Sequence, residues 1–350
     1  MKLIATADLH INILSKVLKT FEYTKATLNN FKELCIKEKA DYALILGDLF
    51  DFKTTTSTEG LINISKSIDE LAEICNVIIL VGNHDRASKT DDSLSIPKLF
   101  HNKKNITVVD NYSSLSFDDY NLHFVSYFDD ETLVNIIKDI KIDKKKKNIL
   151  FSHFAMNGFT MNKYVDNGKI KETKNEESLL NKKLLSKFDK VFLGDFHGYQ
   201  TDGHITYVSS PIQLKHGDEF SEHGFIVIDD NFEHKFIENV DTPNYITVKL
   251  SKETLKSITK LENSYINLFV PHNITKEKVI LLRDKLLKSN YEVHVIQDDK
   301  KKNEIAMVSD WNMIVNSTPD DIITQFLIKN EKIIKKNNWD NKKMLDLILN

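Results

Sequence analysis

Five short stretches of the 350-residue chain place side chains that can bind metal directly after an apolar run. They are Asp8-Leu9-His10, Gly47-Asp48, Gly82-Asn83-His84, His153 and Gly194-Asp195-Phe196-His197. Carboxylate, imidazole and amide ligands favour Mn²⁺ or Fe²⁺ over thiolate-seeking metals, and cysteine is absent from all five stretches. The D-x-H spacing puts Asp8 and His10 on one side of an extended backbone, where they can share an ion. Each stretch alone is weak, but the coincidence of all five predicts a metal-binding site.

The apolar runs before these stretches predict buried strands of a parallel sheet that alternate with amphipathic helices. The strands are Lys2–Ala7, Tyr42–Leu46 and the run that starts at Ile78, and the helices are Val17–Lys39 and Thr58–Cys75. The order β-α-β-α-β with right-handed crossovers is typical of an α/β domain. Ligands of such sheets sit beyond the carboxyl ends of the strands. Gly82 is expected to let the backbone turn sharply at that edge.

Further short elements are predicted up to about residue 240. Strands are expected over Ile106–Val109, Ser114–Phe117 and Leu122–Ser126, which would pair antiparallel, and over Asn148–Ser152, Lys190–Leu193, Ile205–Ser209 and Gly224–Asp229. Helices are expected over Asp130–Ile140 and Glu177–Phe188. The polar segment Ala155–Glu177 predicts an irregular loop that is long enough to be functional.

After about Asn239 the pattern changes to that of a smaller α+β domain followed by a helical tail. We therefore predict three parts: 1–240, 245–310 and 318–350. The small domain is expected to carry four strand-like segments, the last being Ile305–Val308. The apolar stripe of the tail suits a helix that lies in a groove of a partner, or one that packs on the small domain.

Composition excludes some classes of function. No apolar run approaches the ~20 residues of a membrane span, and an acidic residue follows the N-terminus too closely for a signal peptide. Cys35 and Cys75 fall on apolar positions, as core residues of a reducing compartment do. We expect a cytoplasmic protein. The net charge of −3 gives no overall signal of nucleic-acid binding, although metal ions or local basic patches could supply a positive field.

Taken together, the five stretches resemble the calcineurin-like metallophosphoesterase superfamily, whose pattern is D-x-H, G-D, G-N-H-[DE], H and G-H-x-H. Within it, the chain is similar to the SbcD family of nuclease subunits of double-strand-break repair and recombination complexes, in particular its phage branch. The narrower likeness rests on Gly47-Asp48-Leu49-Phe50-Asp51, on Ser209-Ser210-Pro211 and on Gly224-Phe225. The resemblance implies a four-layer αββα sandwich with an α+β cap and a helical tail.

The resemblance also implies the role of each site residue. Asp8, His10, Asp48 and His197 would hold one ion, and Asp48, Asn83, His153 and Asp195 the other. Mn²⁺ is the expected metal, with Mg²⁺ or Fe²⁺ as alternatives. Two such ions would activate a water and clamp the phosphate, while His84, held off the metal, would act as the general acid. Asp85 is expected to support His84 or a ligand, or else to be a plain loop residue.

The chain departs from the family pattern at two positions. Asp195 stands where the family has the first histidine of G-H-x-H, and it adds a negative charge with a shorter reach than imidazole. Asp51 stands where many cellular members carry a histidine, so that its part in positioning DNA is open.

Three functions therefore remain to be weighed. The first, which the resemblance implies, is a 3′→5′ DNA exonuclease, with or without endonuclease activity, that works with an SbcC-like coiled-coil ABC-type ATPase in a two-nuclease, two-ATPase complex containing a homodimer. The second is a phosphatase or cyclic-nucleotide phosphodiesterase of the same fold. The third is a catalytically degenerate subunit that tethers an ATPase to DNA. If the chain is phage-encoded, its site of action would be the host cytoplasm.

Overall fold

The computed structural model of the chain describes residues 1–11, 18–51, 58–87, 94–166 and 169–297. The predicted tail 318–350 and the predicted strand Ile305–Val308 lie outside these ranges. The strands are β1 (Leu3–Thr6), β2 (Tyr42–Leu46), β3 (Asn76–Leu80), β4 (Ile106–Val109), β5 (Tyr112–Ser116), β6 (Tyr120–Val125), β7 (Lys147–His153), β8 (Thr160–Asp166), β9 (Lys169–Lys174), β10 (Lys190–Gly194), β11 (Gln200–Asp202), β12 (Ile205–Tyr207), β13 (Gly224–Ile228), β14 (His234–Glu238), β15 (Asn244–Lys249), β16 (Ser264–Val270) and β17 (Glu292–Gln297). The α-helices are α1 (Leu18–Glu38), α2 (Thr58–Ala72), α3 (Asp130–Asp139), α4 (Lys182–Leu185), α5 (Lys252–Ile258) and α6 (Lys276–Leu287).

Two six-stranded sheets form the larger part of the fold. The first has the order β14-β13-β1-β2-β3-β4, and its four strands β1 to β4 run parallel. The second has the order β11-β12-β10-β7-β6-β5, and strands β12, β10, β7 and β6 run parallel. The carboxyl ends of the parallel strands carry all five stretches singled out in the sequence.

The sheets pack face to face, and each has helices on its outer side. Leu3 and Ala5 of β1 share one buried cluster with Phe151 and Phe192 of the second sheet. Ile4, whose side chain points the other way, packs with Phe31 of α1. Helix α3 covers the outer face of the second sheet in a third cluster. The result is the four-layer αββα sandwich, and burial on both faces explains why these strands are continuous apolar runs.

A third sheet, β15-β16-β17, is entirely parallel and has its own apolar core. Helix α5 connects its first two strands and α6 the last two, so that the order is again β-α-β-α-β. The described residues form one compact unit, Met1–Gln297. The division near residue 240 remains a prediction.

Three local predictions were wrong. Strand β4 does not pair antiparallel with β5 but joins the first sheet parallel to β3. The segment expected to be an irregular loop contains the hairpin β8–β9. The helix expected over Glu177–Phe188 is the single turn α4, where Asn181 caps the helix by accepting from the backbone N–H of Leu184. A polar hairpin such as β8–β9 lacks the apolar alternation by which strands are found in a sequence.

Within the described ranges, no helix is both long and apolar enough to cross a membrane. Cys35 and Cys75 are buried and carry no disulfide, as expected of core cysteines.

Asn239 joins α1 to the loop that precedes β13. Its buried side chain donates to Thr27 Oγ1 (3.2 Å) and to the carbonyl oxygen of Pro211 (2.9 Å), and it accepts from Asn30 Nδ2 (2.9 Å). We predict that Asn239→Ala lowers the free energy of unfolding by about 1–3 kcal/mol, because buried polar partners lose their hydrogen bonds. Urea denaturation followed by circular dichroism measures the change. The exposed Asn231→Ala is the control, and equal stability of the two variants would contradict the prediction.

Candidate metal centre

The ends of β1, β2 and β3 meet the ends of β7 and β10, and the predicted ligand residues lie together there. The ligand atoms of Asp8, His10 and His197 lie within 4.8 Å of one another, as do those of Asp8, Asp48 and His153. Asp48 lies beside both groups of residues, because its Oδ2 is 3.5 Å from His10 Nε2 and 3.4 Å from His153 Nε2. The ligand atoms of His10, Asp48 and His84 form a third such group, and the arrangement as a whole fits two adjoining sites that share Asp48.

His10 marks the first site. Its Nε2 is buried and has no hydrogen-bond partner among the described residues. The nearest acidic atoms are Asp48 Oδ2 at 3.5 Å and Asp8 Oδ1 at 3.9 Å. A buried nitrogen without a partner is costly, and a cation held between it and these carboxylates would satisfy it. The donor set therefore fits a divalent cation.

His153 marks the second site. Its Nδ1 donates to the carbonyl oxygen of Leu46 at 2.7 Å, which leaves Nε2 for a ligand. That Nε2 faces only oxygens: Asn83 Oδ1 at 2.9 Å, Asp48 Oδ2 at 3.4 Å and Asp195 Oδ1 at 3.7 Å. Such an arrangement requires a positive charge at its centre, and a second cation fits it.

The protonation equilibria of the cluster show how strongly it attracts positive charge. Burial, opposed by His153 and reinforced by Asp48, raises the pKa of Asp8 to about 7. Burial likewise raises the pKa of Asp195. Burial acts to lower the pKa of His153, but the carboxylates of Asp48, Asp8 and Asp195 raise it well above its ordinary value. Bound divalent cations would take the place of these protons and keep all three carboxylates ionised.

The backbone around the ligands is not extended, contrary to the expectation for Asp8 and His10. Asp8, His10 and Asp48 have φ angles of 52°, 42° and 52°, and Asp195 has a φ of 98°. These left-handed conformations are uncommon outside glycine. Hydrogen bonds between the first two loops hold them, since Asp8 N donates to Gly47 O and His10 N to Asp48 O, both at 3.0 Å. Strain of this kind is concentrated at functional sites.

Gly82 is required because the backbone at this position approaches the side chain of Asp48 closely, and not because the chain makes a sharp turn there. A Cβ on this residue would lie 2.1 Å from Asp48 Oδ1. The missing side chain lets the backbone after β3 reach Asp48, whose Oδ1 accepts from His84 N at 2.8 Å. The prediction that this position needs a glycine to allow a sharp turn therefore gave the wrong reason.

Asp85 supports the loop that carries Asp48, not His84. Its buried carboxylate accepts from the backbone N–H groups of Leu49 (3.2 Å), Phe50 (2.8 Å) and Gly82 (3.0 Å). It therefore ties the loop after β2 to the loop after β3. Of the two roles expected for it, support of a predicted ligand describes its contacts, because Asp48 lies on the loop that it holds.

Asp51 is the acidic residue beside the imidazole of His84. Its Oδ1 lies 3.5 Å from His84 Nδ1 and 3.5 Å from His10 Nδ1, so one carboxylate faces both imidazoles. The hydrogen bond with Asp51 raises the pKa of His84 above its ordinary value. A protonated His84, whose side chain is 40 % exposed beside the centre, is placed to donate a proton.

Sequence reasoning missed Asp218. Its Oδ2 lies 3.4 Å from His197 Nδ1, and its side chain is only 8 % exposed. It lies 21 residues beyond His197 in a 3₁₀ turn, Asp218–Phe220, so that no spacing rule connects the two. The one feature of the sequence that could have indicated Asp218 is that it is an acidic residue in the segment that follows Ser209-Ser210-Pro211.

Comparison with known protein families agrees with this geometry. The family model described as calcineurin-like phosphoesterase matches residues 1–222, well over half of the chain. The chain is a calcineurin-like phosphoesterase. The family implies a dinuclear, metal-dependent hydrolase, and the cluster of aspartates and histidines is its candidate metal site.

Several solved structures are similar to this phosphoesterase. A dimetal phosphatase from Danio rerio shares 13 % identity with a TM-score of 0.42, over 65 % of this chain and 91 % of that chain. A purple acid phosphatase from yellow lupin (Lupinus luteus) seeds shares 14 % with a TM-score of 0.38, over 65 % and 49 % of the two chains. The nuclease MPE from Pseudomonas putida shares 17 % with a TM-score of 0.27, over 49 % and 66 %. At these identities and TM-scores the likenesses assign no substrate to this chain.

The contacts of Asp51 generate a prediction for phosphoester turnover. Asp51→Ala removes the acceptor that orients both His84 and His10, so we expect kcat to fall by about 10–100-fold. Asp51→Asn keeps an acceptor oxygen and should lose less. Steady-state hydrolysis of bis(p-nitrophenyl) phosphate with Mn²⁺ measures both. The exposed Asp202→Asn is the control, and an unchanged kcat in Asp51→Ala would show that the carboxylate has no part in positioning.

Proposed function

We propose that this phosphoesterase is a DNA nuclease that hydrolyses phosphodiester bonds with two Mn²⁺ ions, acting as a 3′→5′ exonuclease with an SbcC-like ATPase. The observation that carries the proposal is that the third sheet packs against the loop beside the metal centre. Tyr245 of β15 donates through its hydroxyl to Leu214 O and through its backbone N–H to Gln213 Oε1, both at 3.0 Å. The same loop begins at Ser210, whose N–H donates to His197 O at 2.9 Å.

A third sheet beside the catalytic edge suits a polymeric substrate. A small phosphoester needs contacts only at the scissile group, whereas a DNA strand extends beyond it and gains affinity from further contacts to its phosphates. The hairpin β8–β9 carries the exposed lysines Lys169, Lys171 and Lys174, and its Lys163 lines the groove that contains His197 and Lys215. These local positive charges support nucleic-acid binding despite the net charge of −3.

The chemistry follows from the residues around the site. When bound, the two cations would supply an activated water and neutralise the charge of the phosphate. His84, held by Asp51, would donate a proton to the leaving 3′ or 5′ oxygen. Asp48 and Asp195 would hold their oxygens toward the cations, because the backbone geometry at both residues is set by the packing of the loops. Buried His153 would keep water away from the inner side of the centre.

A phosphatase or cyclic-nucleotide phosphodiesterase is the second candidate. The observation that favours it is that, among the described residues, the groups that could hold a metal and His84 all fall within 8–197, outside the third sheet. Hydrolysis of a small phosphoester needs no more than these groups. A degenerate, non-catalytic subunit is the third candidate, and it rests on Asp195 alone. The presence of every other residue of the pattern speaks against it.

The test compares substrates under one set of conditions. The full chain, with and without its ATPase, is incubated with Mn²⁺ and linear duplex DNA, a phosphopeptide or a cyclic nucleotide. We predict degradation of DNA only, and a loss of about 10²–10⁴-fold in rate for His84→Ala. His204→Ala is the control, since His204 precedes β12 at the amino end of that strand, away from the centre.

Each alternative has its own outcome in this comparison. Turnover of the phosphopeptide or cyclic nucleotide without DNA degradation would favour the second candidate and overturn the nuclease proposal. No turnover of any substrate, with the ATPase supplied, would exclude both enzymatic functions. End-labelled DNA distinguishes 3′→5′ digestion from endonucleolytic cleavage.

Self-association is also part of the proposal. Ile62 and Leu99 are 63 % and 59 % exposed and line one groove together with Leu61 and the charged residues Lys66, Asp69, Glu70 and Glu73. We propose that the apolar face formed by Ile62 and Leu99 pairs the two copies in a complex of two nucleases and two ATPases. The predicted contact of the ATPase, residues 318–350, lies outside the described part of the chain.

The apolar face generates a prediction for the oligomeric state. Ile62→Glu would place a charge in the interface, so we expect sedimentation velocity to show a shift from dimer to monomer. Ile280→Glu, which changes a 55 % exposed isoleucine on α6, is the matched control. A wild-type monomer at high protein concentration, or a dimer that Ile62→Glu leaves intact, would contradict the assignment of this face.

A further inference from the structure

The third sheet reaches the metal centre through a chain of side-chain contacts. Asp218 is its inner end: Oδ2 lies 3.4 Å from His197 Nδ1 and accepts from the backbone N–H groups of Leu214 (2.9 Å) and Lys215 (3.2 Å). The carboxylate is thus held by the loop and directed at the imidazole. With Nδ1 engaged by Asp218, His197 has Nε2 left to face the cluster of Asp8 and His10.

The loop that holds Asp218 is fastened from two sides. On one side, Tyr245 of β15 donates to Leu214 O, and Gln213 N donates to Thr242 Oγ1 at 2.7 Å. On the other side, Lys163 of the hairpin β8–β9 donates to Phe220 O at 2.8 Å. Gly217 has a φ of 108°, and a Cβ there would lie 2.6 Å from Lys163 O. These contacts hold the loop in one well-defined position, and they hold Asp218, which belongs to the loop, in place with it.

Burial makes the contact with His197 more than an ordinary surface pair. Asp218 is nearly fully buried, and its own carbonyl oxygen accepts from His223 Nε2 at 2.8 Å. A carboxylate at this place, 3.4 Å from His197 Nδ1, accepts a hydrogen bond from Nδ1–H and fixes the tautomer of His197.

We propose that Asp218 is the positioning residue of His197, and that β15 of the third sheet sets the affinity of the first metal site by holding Asp218 in place. The inference rests on the proposed dinuclear centre, in which His197 is a ligand. It assigns to the small sheet a role in metal binding in addition to its proposed contact with DNA. Its consequence is that changes in β15, remote from every metal ligand, alter one of the two metal sites.

Mn²⁺ binding to the full chain tests the inference without any measurement of turnover. Isothermal titration calorimetry should resolve two sites in the wild type. We expect Asp218→Ala to weaken one site about 10–100-fold and to leave the other unchanged. Asp218→Asn retains an oxygen that accepts from Nδ1–H and should recover much of the affinity. Tyr245→Phe, which loses only the hydroxyl bond to Leu214 O, should weaken the same site by a smaller factor.

Matched controls separate positioning from general destabilisation. Tyr112→Phe also removes a tyrosine hydrogen bond of 3.0 Å, to His123 Nδ1, at a place remote from the centre, and should leave both sites unchanged. Circular dichroism checks that each variant is folded. If Asp218→Ala does not fold, Asp218→Asn and Tyr245→Phe still decide the question.

The outcomes distinguish this inference from the nuclease proposal. Selective loss of one site in Asp218→Ala and Tyr245→Phe supports it even if the wild type cuts no DNA. Two unchanged sites in folded Asp218→Ala, or in both of the milder variants, overturn it while the nuclease proposal stands. A wild type that binds fewer than two Mn²⁺ ions overturns the inference together with the dinuclear centre.

Discussion

The mutual repulsion of three buried carboxylates is the constraint on which the rest of this structure depends. Asp8 and Asp48 are fully buried, and the side chain of Asp195 is only 17 % exposed. Negative charges at such distances in a medium of low polarity are costly unless positive charge lies between them. Protons or cations must therefore occupy the cluster, and the imidazoles of His10 and His153 have ring nitrogens directed at the same space.

The packing of the fold holds these groups together. Two sheets, apolar on both faces, bury the strands that end at the cluster, and their loops then adopt left-handed backbone conformations that they would not hold alone. The missing side chain of Gly82 and the carboxylate of Asp85 bring the loop after β3 onto Asp48. The third sheet adds a further support through the loop of Asp218.

Much of this could be predicted from the sequence, because the relevant signals are local. Buried parallel strands are continuous apolar runs, and chemically able residues at their ends mark one edge of a sheet. Other features could not be predicted. The pairing of β4 with β3 and the hairpin β8–β9 depend on contacts between segments that no local pattern encodes. Asp8 and His10 lie together as their D-x-H spacing predicts, but on a left-handed rather than an extended backbone.

The sequence by itself determined which residues could form the centre, and their division between two ions is a prediction that the resemblance implies. Side-chain chemistry and spacing along the chain contain that information. Only the tertiary structure decided that Asp51 faces His84, that Asp85 supports the loop of Asp48, and that Asp218 contacts His197. The two members of each pair come from separate loops. Their distances depend on how the three sheets pack together, and the residue order within one loop does not specify that packing.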